Sequence, residues 1–391
     1  MNIRARTGRL LLLVSLLSCH AGLILAQQTI SNHAVASLLT CSPGQDLYSI
    51  YGHNALRIRD ASSGLDWVYN YGTFDFNTPN FYLKFLRGRL DYELSRERFE
   101  RFMAAYQYEG RRVTEQNLLL DSLQLQSLFA RLENNYLPEN RAYRYDFFFD
   151  NCATRIRDLA GQLCPAPDWQ NNLELGSLTY RDLIKQYQQP YPWADFGIDL
   201  IIGRRADQIA GPSGSQFIPD FLSSAFVATA CSGTSPIAGP GRQILSAQQP
   251  ASAVLGWYLR PAFVISLFSM LLFVMFWRGR FWAGRVLLLL SGLAGLVMAF
   301  MWWGTDHLAT EQNWNLLWAL PSHLVAAFVG KRHTTFWRIY GRFTAVMSLI
   351  TLAGWMWWPQ PLHPALLPWV GLLACWGLLV KTSVVSVVSP A

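Results

Sequence analysis

Residues 146–158 read DFFFDNCATRIRD, and the rest of the chain is organised around them. Phe147, Phe148 and Phe149 predict a buried extended segment, and Asp150 with Asn151 offers an N-cap to whatever follows. Ile156, Leu159 and Ala160 then recur at helical spacing, with Arg155, Arg157 and Asp158 off that face. Cys152 therefore falls in the first turn of a helix. Unpaired amides and the positive end of the helix dipole favour a thiolate there. The pattern fits a nucleophile; it also fits a small buried residue or half of a disulfide.

A nucleophilic cysteine needs a base. His53 lies in YSIYGHNALRIRD (residues 48–60), where apolar and polar residues alternate as in a half-buried strand. Gly52 allows close backbone approach, and Tyr51 shares a face with His53 if the extended conformation begins that early. Packing is the plainer role for Tyr51. His33 is the other upstream candidate, in a less patterned stretch.

A third polar group is needed to orient the imidazole. In VYNYGTFDF (residues 68–76) alternation puts Tyr69 and Tyr71 on one face and Asn70 with Gly72 on the other. Asn70 is the first choice, since an amide oxygen accepts the imidazole proton in Cys-His-Asn sites. Asp75 is the alternative, although the residues around it also make a good turn. Arg155, one turn past Cys152, could bind an oxyanion; the competing role is a structural ion pair. The Cys152 amide itself is a candidate oxyanion donor.

YGHNALRIRD, VYNYGTFDF, PNFYLKFLRGRLDY, PENRAYRYDFFFDNCATRIRD and the later NWNLLWALPSHL resemble the Lnb-type family of membrane-anchored bacterial proteins. Its exported domain is similar to permuted papain-like thiol enzymes of the NlpC and lecithin:retinol acyltransferase kinds. There the histidine strand precedes the cysteine helix, as His53 precedes Cys152. The resemblance implies an α+β exported domain and acyl transfer to the N-terminal cysteine of bacterial lipoproteins. Diacylated lipoproteins or phospholipid would be the lipid partners. The same residues would suit a cell-envelope cysteine peptidase or amidase. A noncatalytic assembly or binding protein with a structural thiol belongs to a different class.

The composition agrees with a membrane protein. Of 391 residues 51% are hydrophobic and only 15% charged, and sixteen are tryptophan, which favours membrane interfaces. The net charge of +7 accompanies no nucleic-acid motif, and no Cys/His spacing suggests a metal, so neither nucleic acid nor a cofactor is expected. Residues 1–26 read as a signal peptide, with Arg4, Arg6 and Arg9 before an apolar run and cleavage expected after Ala26. A looser lipobox reading would lipidate Cys19. The exported domain is expected over 27–230, with strands at 47–51, 55–59 and 67–71 and helices at 96–106, 122–134 and 178–188. If Cys152 stays free, Cys41, Cys164 and Cys231 form at most one disulfide. Residues 231–253, rich in Ser, Gly, Pro and Gln, read as a linker.

Residues 254–391 read as an all-α domain of five transmembrane helices. Apolar segments fall at about 254–277, 286–303, 314–330, 343–358 and 365–380, each near the length that crosses about 30 Å of hydrocarbon. Arg278, Arg280 and Arg285 lie between the first two; Lys331, Arg332, Arg338 and Arg342 between the third and fourth; Lys381 after the fifth. Loops 304–313 and 359–364 hold no lysine or arginine. Every second connection is basic, which predicts an inner-membrane protein with an exported domain outside and its C-terminus in the cytoplasm. Asp306 and His307 then lie at the outer face, on the side of the thiol. Polar groups there are candidates for seating a lipid headgroup or the acylated cysteine; the plainer reading is a solvated loop anchored by Trp302, Trp303 and Trp314.

Overall fold

The computed structural model describes residues 29–164, 167, 169, 177–231, 235–248 and 255–385. The expected signal sequence lies outside the described residues, as do 232–234 and 249–253 of the expected linker.

Strands β1 (Val35–Cys41), β2 (His53–Asp60), β3 (Leu65–Thr73), β4 (Asp91–Arg98), β5 (Val113–Asn117), β6 (Ala142–Arg144) and β9 (Arg242–Leu245) form one antiparallel sheet in the order β6-β4-β3-β2-β1-β5-β9. Alternation along the strands builds two cores. Leu38, Leu56, Ile58, Tyr69 and Tyr71 face helices α3 (Ser122–Tyr136) and α4 (Cys152–Leu163). Leu39, Cys41, Ala55, Val68 and Val113 face Phe102 of α2 (Phe99–Tyr108). The exported region is thus a mixed domain whose antiparallel sheet is covered on both faces. Two short strands, β7 (Ala230–Cys231) and β8 (Ser235–Pro236), pair beside it, and Cys231 is bonded to Cys164 at the end of α4.

Several local expectations change. Residues 47–51 are turns, because the Asp46 carbonyl accepts both the amide and the hydroxyl of Ser49, which winds the chain before β2. Phe147–Phe149 is a tight turn and not an extended segment: the Asp146 carboxylate accepts the amides of Phe148 and Phe149, and Asp146 and Asp150 form a bridge across it. The helix expected from residue 96 begins at Phe99, since Arg96 and Arg98 are still paired with β3. The stretch read as a linker by composition contributes β9, which closes the sheet edge beside β5.

Helices α5 (Tyr180–Gln188), α6 (Pro192–Ile201), α7 (Gly211–Ser215) and α8 (Pro219–Ala228) follow. Leu183, Ile184, Phe217 and Ile218 make a third core with Phe148. Beyond the described part of the linker lie α9 (Pro261–Trp277), α10 (Phe281–Trp303), α11 (Ser322–Ala326), α12 (Thr334–Ala353) and α13 (Leu367–Val385). By length and composition only α10 qualifies among the described residues as a membrane-crossing helix.

The third apolar segment is not one helix. It comprises a single 3-10 turn at Trp314–Leu317 and the five-residue α11, with Pro321 between them removing a backbone donor. It nevertheless runs beside α10 throughout: Thr310 Oγ1 donates to the Met301 carbonyl at 2.7 Å, Gly295 abuts Ala319, Gly292 abuts Leu324, and Arg285 Nη2 donates to the Val329 carbonyl at 2.9 Å. Contacts from residue 301 down to 285 correspond to about 24 Å of helix axis.

The two regions meet through polar loops. Asn313 Nδ2 donates to the carbonyls of Leu200 and Ile201, and Gln360 Nε2 to that of Ile202, which satisfies the end of α6. Arg181, buried, pairs with Asp199 and Asp207 at 2.7 Å each and fixes the same corner from inside the exported domain.

Candidate functional site

The cysteine helix is seated by Asn151. Its side-chain oxygen accepts the amides of Ala153 and Thr154, while its own amide donates to Thr154 Oγ1, a reciprocal cap. The Asn151 Nδ2 group donates to the carbonyls of Phe147 and Phe217, tying the helix start to the phenylalanine turn and the third core. Cys152 is thereby fixed at the first helical position, free of any disulfide and buried.

The sheet brings the remaining groups to it. Pairing of β3 with β4 slips between Asn70 and Thr73, where Gly72 has φ of 87°. The positive φ favours glycine here, and a Cβ at Gly72 would crowd the Tyr145 ring at 3.3 Å while meeting the Cys152 Cβ at 3.9 Å, so the helix start lies against this point of the sheet. The backbone amides of Asn54, Ala153 and Cys152 itself face the sulfur. Asn54 directly follows His53, the first residue of β2.

The His53 ring engages Asn70: Nε2 lies 3.3 Å from Asn70 Oδ1, and Asn70 Nδ2 donates to Glu97 Oε1 at 3.2 Å. Nε2 is thus the protonated nitrogen when the amide oxygen accepts, and Nδ1 is left to exchange a proton. Cys152, His53 and Asn70, expected from sequence to act together, are brought to one end of the sheet. Asp75 is not part of this group; its carboxylate closes a turn onto Asn77.

The electrostatics differ from the expectation of a helix-stabilised thiolate. Burial raises the Cys152 pKa above its ordinary value, outweighing the amides of Asn54, Ala153 and Cys152. Burial, reinforced by the Arg111 guanidinium and opposed by the Asn70 hydrogen bond, lowers His53 to about 4. At neutral pH the thiol and the imidazole are both uncharged.

Other expected site residues have partners within the protein. Arg155 makes a two-pronged pair with Asp150 at 2.6 and 2.8 Å and lies 3.5 Å over the Tyr143 ring, so its role here is the structural ion pair. Tyr51 precedes the strand and does not share the His53 face. Its hydroxyl accepts from Gln188 Nε2 at 2.7 Å and its ring packs on Phe147 at 4.7 Å. Asp306 pairs with Arg89 at 2.9 Å, and His307 Nε2 lies 3.1 Å from the Phe85 carbonyl. Both residues dock the membrane-side loop on the exported domain.

Sequence reasoning missed Glu97, Asn54 and Arg111. Arg111 is buried, with Nε on the Ser42 carbonyl at 2.7 Å and Nη1 on Glu109 at 2.9 Å, beside the end of β1 where Cys41 pairs with His53. Its Nη2 and Asn54 Oδ1 are buried without a hydrogen-bond partner among the described residues. Asn54 adjoins His53 in the chain, but Glu97 and Arg111 are linked to it only through the pairing of strands, which is not visible in the sequence.

A thiol, an imidazole and an orienting amide thus lie at one end of a covered antiparallel sheet, in a domain joined to apolar helices. Two family descriptions match the chain: the Lnb N-terminal periplasmic domain over residues 25–187 and the Lnb transmembrane domain over residues 253–383. The chain belongs to the Lnb family, with a periplasmic domain ahead of a transmembrane one. No curated protein and no solved structure matches it.

Proposed function

We propose that the protein is a cysteine-dependent acyltransferase that moves a fatty acyl chain to the N-terminal cysteine of bacterial lipoproteins. The observations that carry this reading are the His53–Asn70 contact and the first-turn thiol of α4, whose sulfur faces the amide of Asn54, next in the chain to His53. His53 takes the thiol proton as the sulfur attacks an acyl ester carbonyl. Backbone amides at the start of α4 stabilise the oxyanion. The ester oxygen then leaves with the proton from the imidazolium, giving an alcohol and a thioester. A lipoprotein amine attacks the thioester, forms the amide, gives up its proton through His53 and returns the thiol.

The neutral resting pair suits this sequence, because base and acid are both in the forms the first step needs. Tethering also supports it: diacylated lipoprotein and phospholipid are both confined to the bilayer, and a site fixed at its surface raises their effective concentration.

The topology belongs to the same proposal. Contact of the broken third segment along α10 supports a crossing by irregular backbone, which lipid tolerates where protein covers it. With five crossings, the basic connections fall on one side, the C-terminus is cytoplasmic and the membrane is the inner one. The permuted papain-like relationship rests on the order His53 before Cys152 and on the helix start abutting the sheet.

Mass spectrometry of lipoprotein N-termini from cells with the parent gene, Cys152→Ala or a deletion tests the activity. Loss of N-acylation in both altered strains is expected. Unchanged N-termini in the deletion would falsify it and leave hydrolysis of cell-envelope peptides as the better use of the same residues.

A further inference from the structure

Between β3 and β4 lies the short helix α1 (Phe81–Leu86), which has an unusual surface. Tyr82, Leu83, Phe85 and Leu86 are exposed by 82, 54, 51 and 46%, and Phe76 beside them by 63%. An apolar surface of this kind on a six-residue helix calls for a partner.

The structure fixes where that surface lies. The Arg87 carbonyl accepts the Asp306 amide at 2.9 Å, Phe85 meets His307, and Arg89 pairs with Asp306. Asp306 is three residues beyond the end of α10, whose last residues Trp302 and Trp303 stack at 4.6 Å. Such a tryptophan pair at the end of an apolar helix marks the headgroup level. Since α1 is only about 9 Å long, its exposed side chains lie close to that level. A second part of the exported domain reaches the same kind of boundary: Trp193 Nε1 donates to the Leu259 carbonyl, beside exposed Trp257 and Tyr258 at the start of α9. Lys84 and Arg87 supply the positive charge that anionic headgroups attract.

We propose that the exposed face of α1 sits in the outer leaflet of the bilayer and that the rings behind it guide an acyl chain to Cys152. The guiding role rests on the acyltransferase reading; the membrane seat does not. The rings form a continuous row. Phe85 stacks on Phe81 at 6.1 Å, Phe81 lies 5.9 Å from Phe74, Phe74 5.4 Å from Tyr92, and Tyr92 stacks on Tyr145 at 4.5 Å. Tyr145 borders the Gly72 notch that also borders Cys152. Phe81 and Cys152 are themselves buried, so an apolar chain entering at α1 would have to part these rings to reach the sulfur, with aromatic contact along its way.

The seat is tested on the full chain with Cys152→Ala and Cys375→Ala, in vesicles of phosphatidylethanolamine and phosphatidylglycerol. A polarity-sensitive fluorophore is attached at Leu83→Cys or, as control, at Tyr108→Cys, a position 94% exposed on α2. Quenching of the first label by lipids carrying a nitroxide high on the acyl chain, and not by iodide, is expected; the control should show the reverse. Iodide quenching of both labels alike overturns the seat. The guiding role is tested with Leu83→Asp and Leu86→Asp together and Cys152 intact. Acylation of Cys152 from vesicle phospholipid should fall by about tenfold or more, as loss of about one buried leucine contact implies. Alkylation of Cys152 by iodoacetamide should keep its parent rate, which separates lost guidance from misfolding. Unchanged acylation overturns the guiding role. A parent protein that never acquires an acyl group sinks the acyltransferase reading and the guiding role with it, while the quenching result still decides the seat.

Discussion

Two polar clusters of the exported domain, one at the start of β2 and one at the end of α6, use their groups in opposite ways. At β2 the chain assembles few partners around reactive atoms: His53 has Asn70, Asn70 has Glu97, and Arg111 Nη2 and Asn54 Oδ1 are buried without hydrogen bonds among the described residues. At α6 the carbonyls of Leu200, Ile201, Ile202 and Gly203 all receive donors, from Asn313, Gln360 and Arg181. The first cluster leaves chemistry to be done. The second uses its polarity to join the periplasmic domain to the transmembrane one, and the backbone carbonyls at the helix end are all engaged.

Removing His53 should give the largest effect on chemistry. His53→Ala is expected to lower the rate of Cys152 acylation by about 10²–10⁴, the range for loss of a general base. The pH dependence has a fixed sign. The folded pKa is about 4 against an ordinary value of 6.5, so the unfolded chain binds more protons between them. The stability due to neutral His53 is present above about 6.5 and is lost as pH falls through about 4. Urea midpoints measured across this window should decline in the parent and lose that part of the decline in His53→Ala.

Arg181→Met sharpens the comparison from the other side. It strands Asp207 as a buried carboxylate and leaves Asp199 with Lys185 alone, and breaking a buried pair in this way costs about 3–5 kcal/mol. A lower denaturation midpoint is expected, with Cys152 in the folded fraction alkylated at the parent rate. An acylation defect without any loss of stability would place Arg181 in the site and dissolve the distinction between the clusters. Asn70→Ala should fall between these extremes: about tenfold to a hundredfold loss of acylation from a misoriented imidazole, at nearly unchanged stability.

The site was more legible than the joint because its signals are local. Asn151 announces the helix start by residue type and position, and Ile156, Leu159 and Ala160 give its buried face, all within one short stretch. Asn70 followed from alternation along a strand whose limits the sequence marks well. Strand β1 went unseen because both its faces are buried, and VASLLTC then lacks the polar alternation by which a half-covered strand is read. The phenylalanine turn was hidden by composition: three apolar residues suggest a strand, while one carboxylate, Asp146, decides the backbone. For Asn313 and Gln360 no local pattern exists, since their partners lie more than a hundred residues away in another domain. The thiol pKa was misjudged for a similar reason. The helix start is local, but the burial that outweighs it comes from β2 and β3.

The smallest effect expected is that of Asp306→Ala. Its carboxylate meets Arg89, but the two side chains are 54 and 47% exposed, so solvent screens the pair. The loop is held as firmly by its backbone, through the Asp306 amide on the Arg87 carbonyl. Acylation in vesicles should therefore stay within about threefold of the parent, and His307→Ala, which removes one half-exposed contact to the Phe85 carbonyl, should behave alike. Gly88→Val should do more harm than either. Gly88 has φ of 65°, and a Cβ there would stand 3.2 Å from the Asp306 carbonyl carbon and the His307 amide nitrogen, which forces the loop away from α1. If the loop matters by holding α1 at the bilayer, backbone displacement must cost more than loss of the carboxylate. The opposite order, with Asp306→Ala inactive and Gly88→Val close to the parent, would give the carboxylate a direct part in seating the lipid substrate.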